Sequence, residues 1–397
     1  MIQVKDNVYW LGLRDWDLRR FHGHELSTHR GSSYNTYLIR DEKNILVDTV
    51  WNPFQEEFLE IIEKEVGFSN IHGIIINHME PDHGGSLGAL MEHLPKDTPI
   101  YCSPKGVESI KGHFHKEWNL IPVKTGDKIN IGKSDITFVE MTMIHWPDSL
   151  AGFVSPANVL LSNDAFGEHY CSASIFEDES DPCEVNQEAL KYFANILAPL
   201  TPLIRKKLAE IKALNLPVEV IAPSHGVIWR KDPMRIVEKY AQWAEDYHEG
   251  YVTIAYDTMY NSTKKMAEAI AKGIESQGVK CKIYNSSITD ISDLLTEMFC
   301  SKGIILGSCT VNNGYLRSMA AVLSEIKGHK FKKKIGAAFG SSGWSNAAPE
   351  KLYDGLKDSG IDVVLEPIGV KFVPTPEDIE KCIKYGEEFA RKVKESK

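Results

Sequence analysis

The stretch Asn77-His78-Met79-Glu80-Pro81-Asp82-His83-Gly84-Gly85 sets four groups of metal-binding type into six positions. It directly follows the apolar run 73–76. The ring of Pro81 disfavours the helical region for Glu80 and pushes it into an extended conformation. In extended chain alternate side chains point the same way, so His78 and Glu80 face one ion. Past the proline the chain turns, and Asp82 and His83 then face a second ion. Gly84-Gly85 lets the backbone bend away. At average residue usage such a string arises by chance in roughly one chain of this length in two thousand.

Three more residues share that placement. His145 in Met143-Ile-His-Trp-Pro-Asp follows the run 136–140, Asp164 in Leu160-Leu-Ser-Asn-Asp ends the run 158–162, and His225 in Ile221-Ala-Pro-Ser-His-Gly ends the run 218–223. Four strand ends thus deliver oxygen or nitrogen ligands to what reads as one edge of a sheet. His78, Glu80, Asp82, His83, His145, Asp164 and His225 are too many for one tetrahedral ion. They suit two ions sharing a carboxylate. Three carboxylates make the site hard and oxygen-rich, which leaves iron, manganese and zinc open.

The chain around these motifs is of ordinary globular composition. Its 397 residues are 43% hydrophobic and 25% charged, which suggests two or three domains and argues against disorder. The formal net charge of −10 is poor at holding phosphate backbones, so no nucleic-acid partner is expected. No apolar run reaches the ~18–20 residues that span a bilayer, so no membrane role is expected. The opening Met1-Ile-Gln-Val-Lys-Asp-Asn lacks the apolar core of a signal peptide, which gives the cytoplasm as the expected compartment. The seven cysteines form no C-x-x-C pair. That disfavours a disulfide framework, a zinc ribbon and a four-thiolate iron site.

Residues 1–249 read as a mixed α/β domain rich in short strands, with helices at 54–66 and 87–94. A helix over 232–250 closes this block. Residues 250–397 alternate strand, loop and helix, with strands at 251–256, 303–306 and 334–339 and a fourth within 361–372. Such alternation specifies a parallel sheet wrapped on both faces by helices, a doubly wound fold.

The second block opens Ile254-Ala-Tyr-Asp-Thr-Met-Tyr-Asn-Ser-Thr-Lys-Lys. A strand ends, a hydroxyl-rich loop follows, and a helix begins with free N–H groups and the positive end of its dipole. This is a phosphate cradle without a lysine. It lacks both the triphosphatase loop and the dinucleotide fingerprint, so a monophosphate is expected. Two later loops, Gly307-Ser-Cys-Thr-Val-Asn-Asn-Gly314 and Phe339-Gly-Ser-Ser-Gly-Trp-Ser345, crowd the same carboxyl edge of the sheet. Their polar groups suit the edge of an isoalloxazine, and Trp344 or Tyr260 suits its face.

The His-x-Glu-x-Asp-His string with later His, Asp and His resembles the metallo-β-lactamase fold, an αββα sandwich. Zinc members usually carry His where this chain has Glu80. That exchange, with His145-Trp-Pro-Asp-Ser149 and Asn163-Asp-Ala-Phe-Gly167, resembles the flavodiiron proteins. The resemblance implies two irons. His78, Glu80 and His145 would bind one, Asp82 and His225 the other, and Asp164 would bridge. His83 binds iron in some members and stands off in others. The second block resembles flavodoxin, which implies FMN. Thr258, Met259, Tyr260, Asn261, Ser262 and Thr263 would hold the phosphate. Thr310, Val311, Asn312 and Asn313, with Ser341, Ser342, Gly343, Trp344 and Ser345, would flank the ring.

Members of the family reduce dioxygen to water or nitric oxide to nitrous oxide, with FMN passing electrons to the irons. The reading taken from the sequence is dioxygen reduction, with nitric oxide as the alternative. The donor implied is rubredoxin, or else a reduced deazaflavin. The assembly implied is a head-to-tail homodimer or a dimer of dimers. His22 and Tyr192 match positions lining the family's gas pocket, where they would give a proton or hydrogen bond, whereas His24 and His29 read as surface residues. The competing classes are a dinuclear metal hydrolase, which leaves the flavodoxin-like block unexplained, and a plain flavodoxin carrier, which leaves the complete ligand set unexplained.

Overall fold

The computed structural model describes residues 1–23 and 25–396, so His24 lies outside the described residues. The chain divides into two compact units. One comprises Met1–Phe193 with Leu200–Ala244, and the other Ala194–Pro199 with Glu245 onwards.

The first unit is built on two sheets. One runs in the order Ile2–Lys5, Val8–Trp10, Tyr37–Ile39, Asn44–Val47, Ile71–Ile75, Ile100–Cys102, Leu120–Pro122. The other runs Lys128–Asn130, Asp135–Glu140, Leu150–Ser155, Val159–Asn163, Val220–Pro223. Their inner faces share one core: Tyr37, Val47 and Ile75 from the first sheet lie in the same cluster as Phe138, Val154, Leu161 and Ala222 from the second. Each of the larger aliphatic and phenylalanine side chains among them contributes about 1.5–3 kcal/mol on full burial. Helices cover the outside; Gln55–Glu65 turns Phe58 and Ile62 inward.

Pairing directions bring the ligand-bearing ends together in the second sheet. Asp135–Glu140 and Val159–Asn163 each pair antiparallel with Leu150–Ser155, so they run the same way. Val220–Pro223 pairs parallel with Val159–Asn163. All three therefore finish at one edge.

The second unit is a parallel sheet in the order Cys281–Asn285, Val252–Asp257, Gly303–Cys309, Ile335–Ser342, with Asp362–Val363 and Ile368–Lys371 both pairing with the last. Val252–Asp257 and Gly303–Cys309 are buried along their whole length, as central parallel strands are. The order reverses at Val252–Asp257, and a doubly wound sheet opens a crevice at such a reversal.

Two boundaries differ from the sequence reading. The helix expected over 232–250 spans only Met234–Trp243. The contact division falls at Ala244/Glu245, before the expected 249/250. The residues in between are claimed by the second unit: Tyr247 packs on Phe299, and the Glu249 amide donates to the Cys300 carbonyl. The short piece Ala194–Pro199 joins the second unit because the Asn195 amide donates to Ser292 and Thr296. Among the described residues no helix is long and apolar enough to cross a membrane.

Candidate functional site

The segment 77–85 is held at its root by Asp48. That buried carboxylate accepts the backbone N–H of Asn77 at 2.8 Å and its side-chain amide at 3.0 Å. Glu80 is extended, with φ −59° and ψ 141°, and Pro81 starts the short helix Pro81–Gly84. The two glycines do not supply the bend expected of them, since Gly85 is helical. Gly84 is there for close approach: a Cβ at this position would lie 2.1 Å from the Met79 methyl group.

All seven expected ligands meet in two groups. In the first, His78 Nε2 lies 3.2 Å and His145 Nε2 3.3 Å from Glu80 Oε2. In the second, His225 Nε2 lies 2.8 Å and His83 Nε2 3.2 Å from Asp82 Oδ2. Asp164 spans them. Its Oδ2 is 3.6 Å from His145 Nε2 and 3.8 Å from His78 Nε2. Its Oδ1 is 2.9 Å from His83 Nε2 and 3.8 Å from His225 Nε2.

The donor set tests whether metal fits. Both oxygens of Asp164, Oδ1 of Asp82 and Nε2 of His83 are buried without a hydrogen-bond partner. Buried polar atoms are normally paired. Here they converge instead on one another, the donor atoms of each group lying within 4.8 Å of each other, as the donor set of a metal does. Burial works against the charge on Asp164, but His83, His78 and His145 outweigh it and hold that carboxyl below its usual range. Mixed imidazole and carboxylate ligation with oxygen in quantity fits iron.

His22 Nε2 bonds Glu80 Oε1 at 2.8 Å, with its side chain 31% exposed. Tyr192, the last residue of the helix Pro182–Tyr192, is buried. Burial raises its phenol well above the usual value, and the charges of Asp164, Glu80 and Asp82 raise it further. His29 is exposed, as expected.

Four neighbours escaped the sequence reading. Asp148 takes His78 Nδ1 at 3.0 Å. The Ser33 carbonyl takes His225 Nδ1 at 2.6 Å. Phe21 packs 4.3 Å from His22, and His169 packs 4.8 Å from His225, ring centre to ring centre. Asp148 stood inside the quoted His-Trp-Pro-Asp-Ser string. His169 follows Asp164 by five residues in the same strand-end loop, a position that carries a weak signal.

In the second unit a cavity of ≈ 620 Å³ opens at the carboxyl edge of the sheet, within the size range of cofactor sites. Thr258, Met259, Tyr260 and Ser262 line it from the first loop, residues 310–313 from the second, and residues 341–345 from the third. Tyr260 is 88% and Trp344 92% exposed, so both faces are free to take a flat ring. Thr258 Oγ1 is buried and without a hydrogen-bond partner, an orphan suited to a phosphate or ring acceptor. Two expected contacts do not reach the cavity wall. Asn261 sits in the left-handed region at φ 66° before the helix. Thr263 is buried and bonds Ser341 Oγ at 2.9 Å, so it positions a lining residue. Cys309, Phe372 and Val373 line the cavity unexpectedly. Phe372 follows the strand Ile368–Lys371, so the strand-end rule applied to the other loops would have found it.

The geometry has relatives. Residues 33–226 match the model of the ODP family beta lactamase, and residues 254–386 match that of flavodoxin. The anaerobic nitric oxide reductase flavorubredoxins of Aeromonas hydrophila and Klebsiella pneumoniae are 45% and 47% identical over 98% of this chain. The chain belongs to the flavodiiron proteins. Among solved flavodiiron structures, the rubredoxin oxygen:oxidoreductase of Desulfovibrio gigas superposes with a TM-score of 0.96 at 35% identity, over 99% of this chain and 98% of that one. The Giardia intestinalis flavodiiron protein gives 0.93 at 31%, over 100% and 97%. The two flavorubredoxins are longer, and the chain spans 79% and 81% of them. As a flavodiiron protein it is an oxidoreductase, with a lactamase-like unit followed by a flavodoxin-like one. The hydrolase and simple-carrier readings fall away.

Proposed function

We propose that this chain is a terminal reductase of a diatomic gas, with nitric oxide as its first substrate and dioxygen as its second. Asp164 carries the reading, because its two oxygens face two separate ligand groups. His78, Glu80 and His145 would hold one iron, Asp82, His83 and His225 the other, and Asp164 both. When bound, the iron pair supplies a reducing site for the gas, and FMN supplies electrons to it one at a time.

The chain's own groups do the rest. His22 bonds Glu80 and Tyr192 lies within electrostatic reach of Asp164, Glu80 and Asp82; each would hold a proton for delivery to a reduced gas atom. The cradle of neutral hydroxyls and the free helix start would hold the flavin phosphate, and Tyr260 and Trp344, on the cavity wall, would offer faces to the ring.

Nitric oxide goes first because the curated relatives at 45% and 47% identity are named for it. This reverses the order expected from the sequence. The Desulfovibrio gigas structure, named for oxygen, favours the second reading. The test is consumption of each gas by the chemically reduced protein under anaerobic handling. Faster loss of nitric oxide supports the proposal, and loss of dioxygen alone replaces it with the second reading.

On this reading the electron donor is of rubredoxin type, or a reduced deazaflavin. The working compartment on this reading is the cytoplasm. The active assembly is a head-to-tail homodimer, and sedimentation showing only active monomer contradicts it.

A further inference from the structure

We propose that the two halves of the metal centre are unequal, and that Asp148 is the positioning residue that makes the half built by His78, Glu80 and His145 the tighter one, filled first. The inference rests on the metal reading of the cluster given above.

Asp148 is 1% exposed. Its Oδ1 lies 3.0 Å from His78 Nδ1, and its Oδ2 accepts the Met79 amide at 3.0 Å. A carboxylate only accepts, so Nδ1 of His78 is the donor in this bond, which leaves Nε2 as the atom that would take a cation. Nε2 faces Glu80 Oε2 and Asp164 Oδ2. An imidazole backed by a carboxylate is also a more basic ligand. The backbone of Asp148 is pinned separately: Ser103 Oγ donates to its carbonyl at 2.8 Å.

The other half has no such support. His225 gives its Nδ1 proton to the Ser33 carbonyl, which fixes the same tautomer but brings no charge. Otherwise the halves match. Each has one carboxylate of its own, two imidazoles and one oxygen of Asp164. Asp48 acts on His83 through charge alone, its oxygens accepting the N–H groups of Asn77. His22 draws on Oε1 of Glu80 and leaves Oε2 to the centre. The difference is one buried carboxylate hydrogen-bonded to a ligand imidazole, on the His78 side.

The test is a titration of the metal-free, FMN-loaded full chain with Co²⁺, read by its visible absorption. Two steps at least about tenfold apart are expected. His225→Ala should keep the tight step, and His145→Ala should lose it. Asp148→Asn keeps the shape but cannot accept from both His78 and Met79. It should weaken the tight step about 10–100-fold and the weak step by less than about threefold. Ser103→Ala, which leaves the carboxylate in place, should move neither. Indistinguishable steps, or equal weakening of both by Asp148→Asn, overturn the inequality alone. No Co²⁺ uptake at all overturns the metal reading with it. Should Asp148→Asn fail to fold, nitrogen NMR of the histidine-labelled, Zn²⁺-loaded wild type still decides. A proton on Nδ1 of His78 is expected there, and an unprotonated Nδ1 overturns the assignment.

Discussion

Asp164 Oδ1 lies 2.9 Å from His83 Nε2, while the other oxygen of the same carboxylate faces the other pair of imidazoles. One side chain thus closes both halves of the centre. Asp164→Ala should therefore weaken both metal positions by more than about 100-fold, above the range for loss of a supporting group. FMN content should stay at the wild-type level, because the cavity lies in the other unit. Metal and flavin analysis on the same preparation checks this. Retention of both metals would remove Asp164 from the bridging position.

Tyr192 is buried with its phenol held protonated, first by burial and then by the neighbouring carboxylates. Tyr192→Phe removes only the hydroxyl. Turnover of the preferred gas should fall roughly 100-fold, the scale of a positioned proton donor, with iron content and melting temperature unchanged. Wild-type turnover in the variant would show that the proton comes from elsewhere, with His22 as the next group to replace.

The orphaned Thr258 Oγ1 predicts a specific loss in the flavin site. Thr258→Ala should weaken FMN binding about tenfold, or about 1.4 kcal/mol. Trp344→Ala should weaken it further by exposing one ring face. Quenching of flavin fluorescence during titration of the apoprotein reports both. Neither change should alter iron content.

Lys334 gives a pH dependence whose sign is fixed. Its ammonium donates to the carbonyls of Phe299 and Ser301 at 2.6 Å each, yet burial lowers its pKa from 10.5 to about 7. Below pH 7 both folded and unfolded chains carry the proton, and the folded state bears the full penalty. Between pH 7 and 10.5 the unfolded chain holds more protons. Stability from this group therefore rises with pH, by up to about 1.4 kcal/mol per unit. Lys334→Met removes that slope. Urea unfolding of both proteins at pH 7 and pH 9 should show the wild type gaining on the variant, and parallel behaviour would contradict the assignment.

The sequence made the candidate metal ligands legible because each follows an apolar run. Alternation across Met79 and the constraint of Pro81 placed His78 and Glu80 together without any tertiary information. The supporting groups were hidden for the opposite reason. The bond from Asp148 to His78 spans 70 residues, and that from His225 to Ser33 spans 192. Both depend on strand pairing rather than on local pattern. The flavin loops were found by the same strand-end logic. Asn261, in a left-handed cap, and Thr263, bonded to Ser341, do not line the cavity, a placement that no strand-end pattern carries. The helix beginning near Asp232 was expected to run to Gly250, but Tyr247 and Glu249 find partners in the second unit that end it early.

The most direct test of the central claim is the cofactor content of the chain purified without oxygen. The account predicts about two irons and about one FMN per chain, as a carboxylate between two ligand groups and a flavin-sized cavity ringed by the three loops require. Zinc in place of iron, with no flavin, would contradict it.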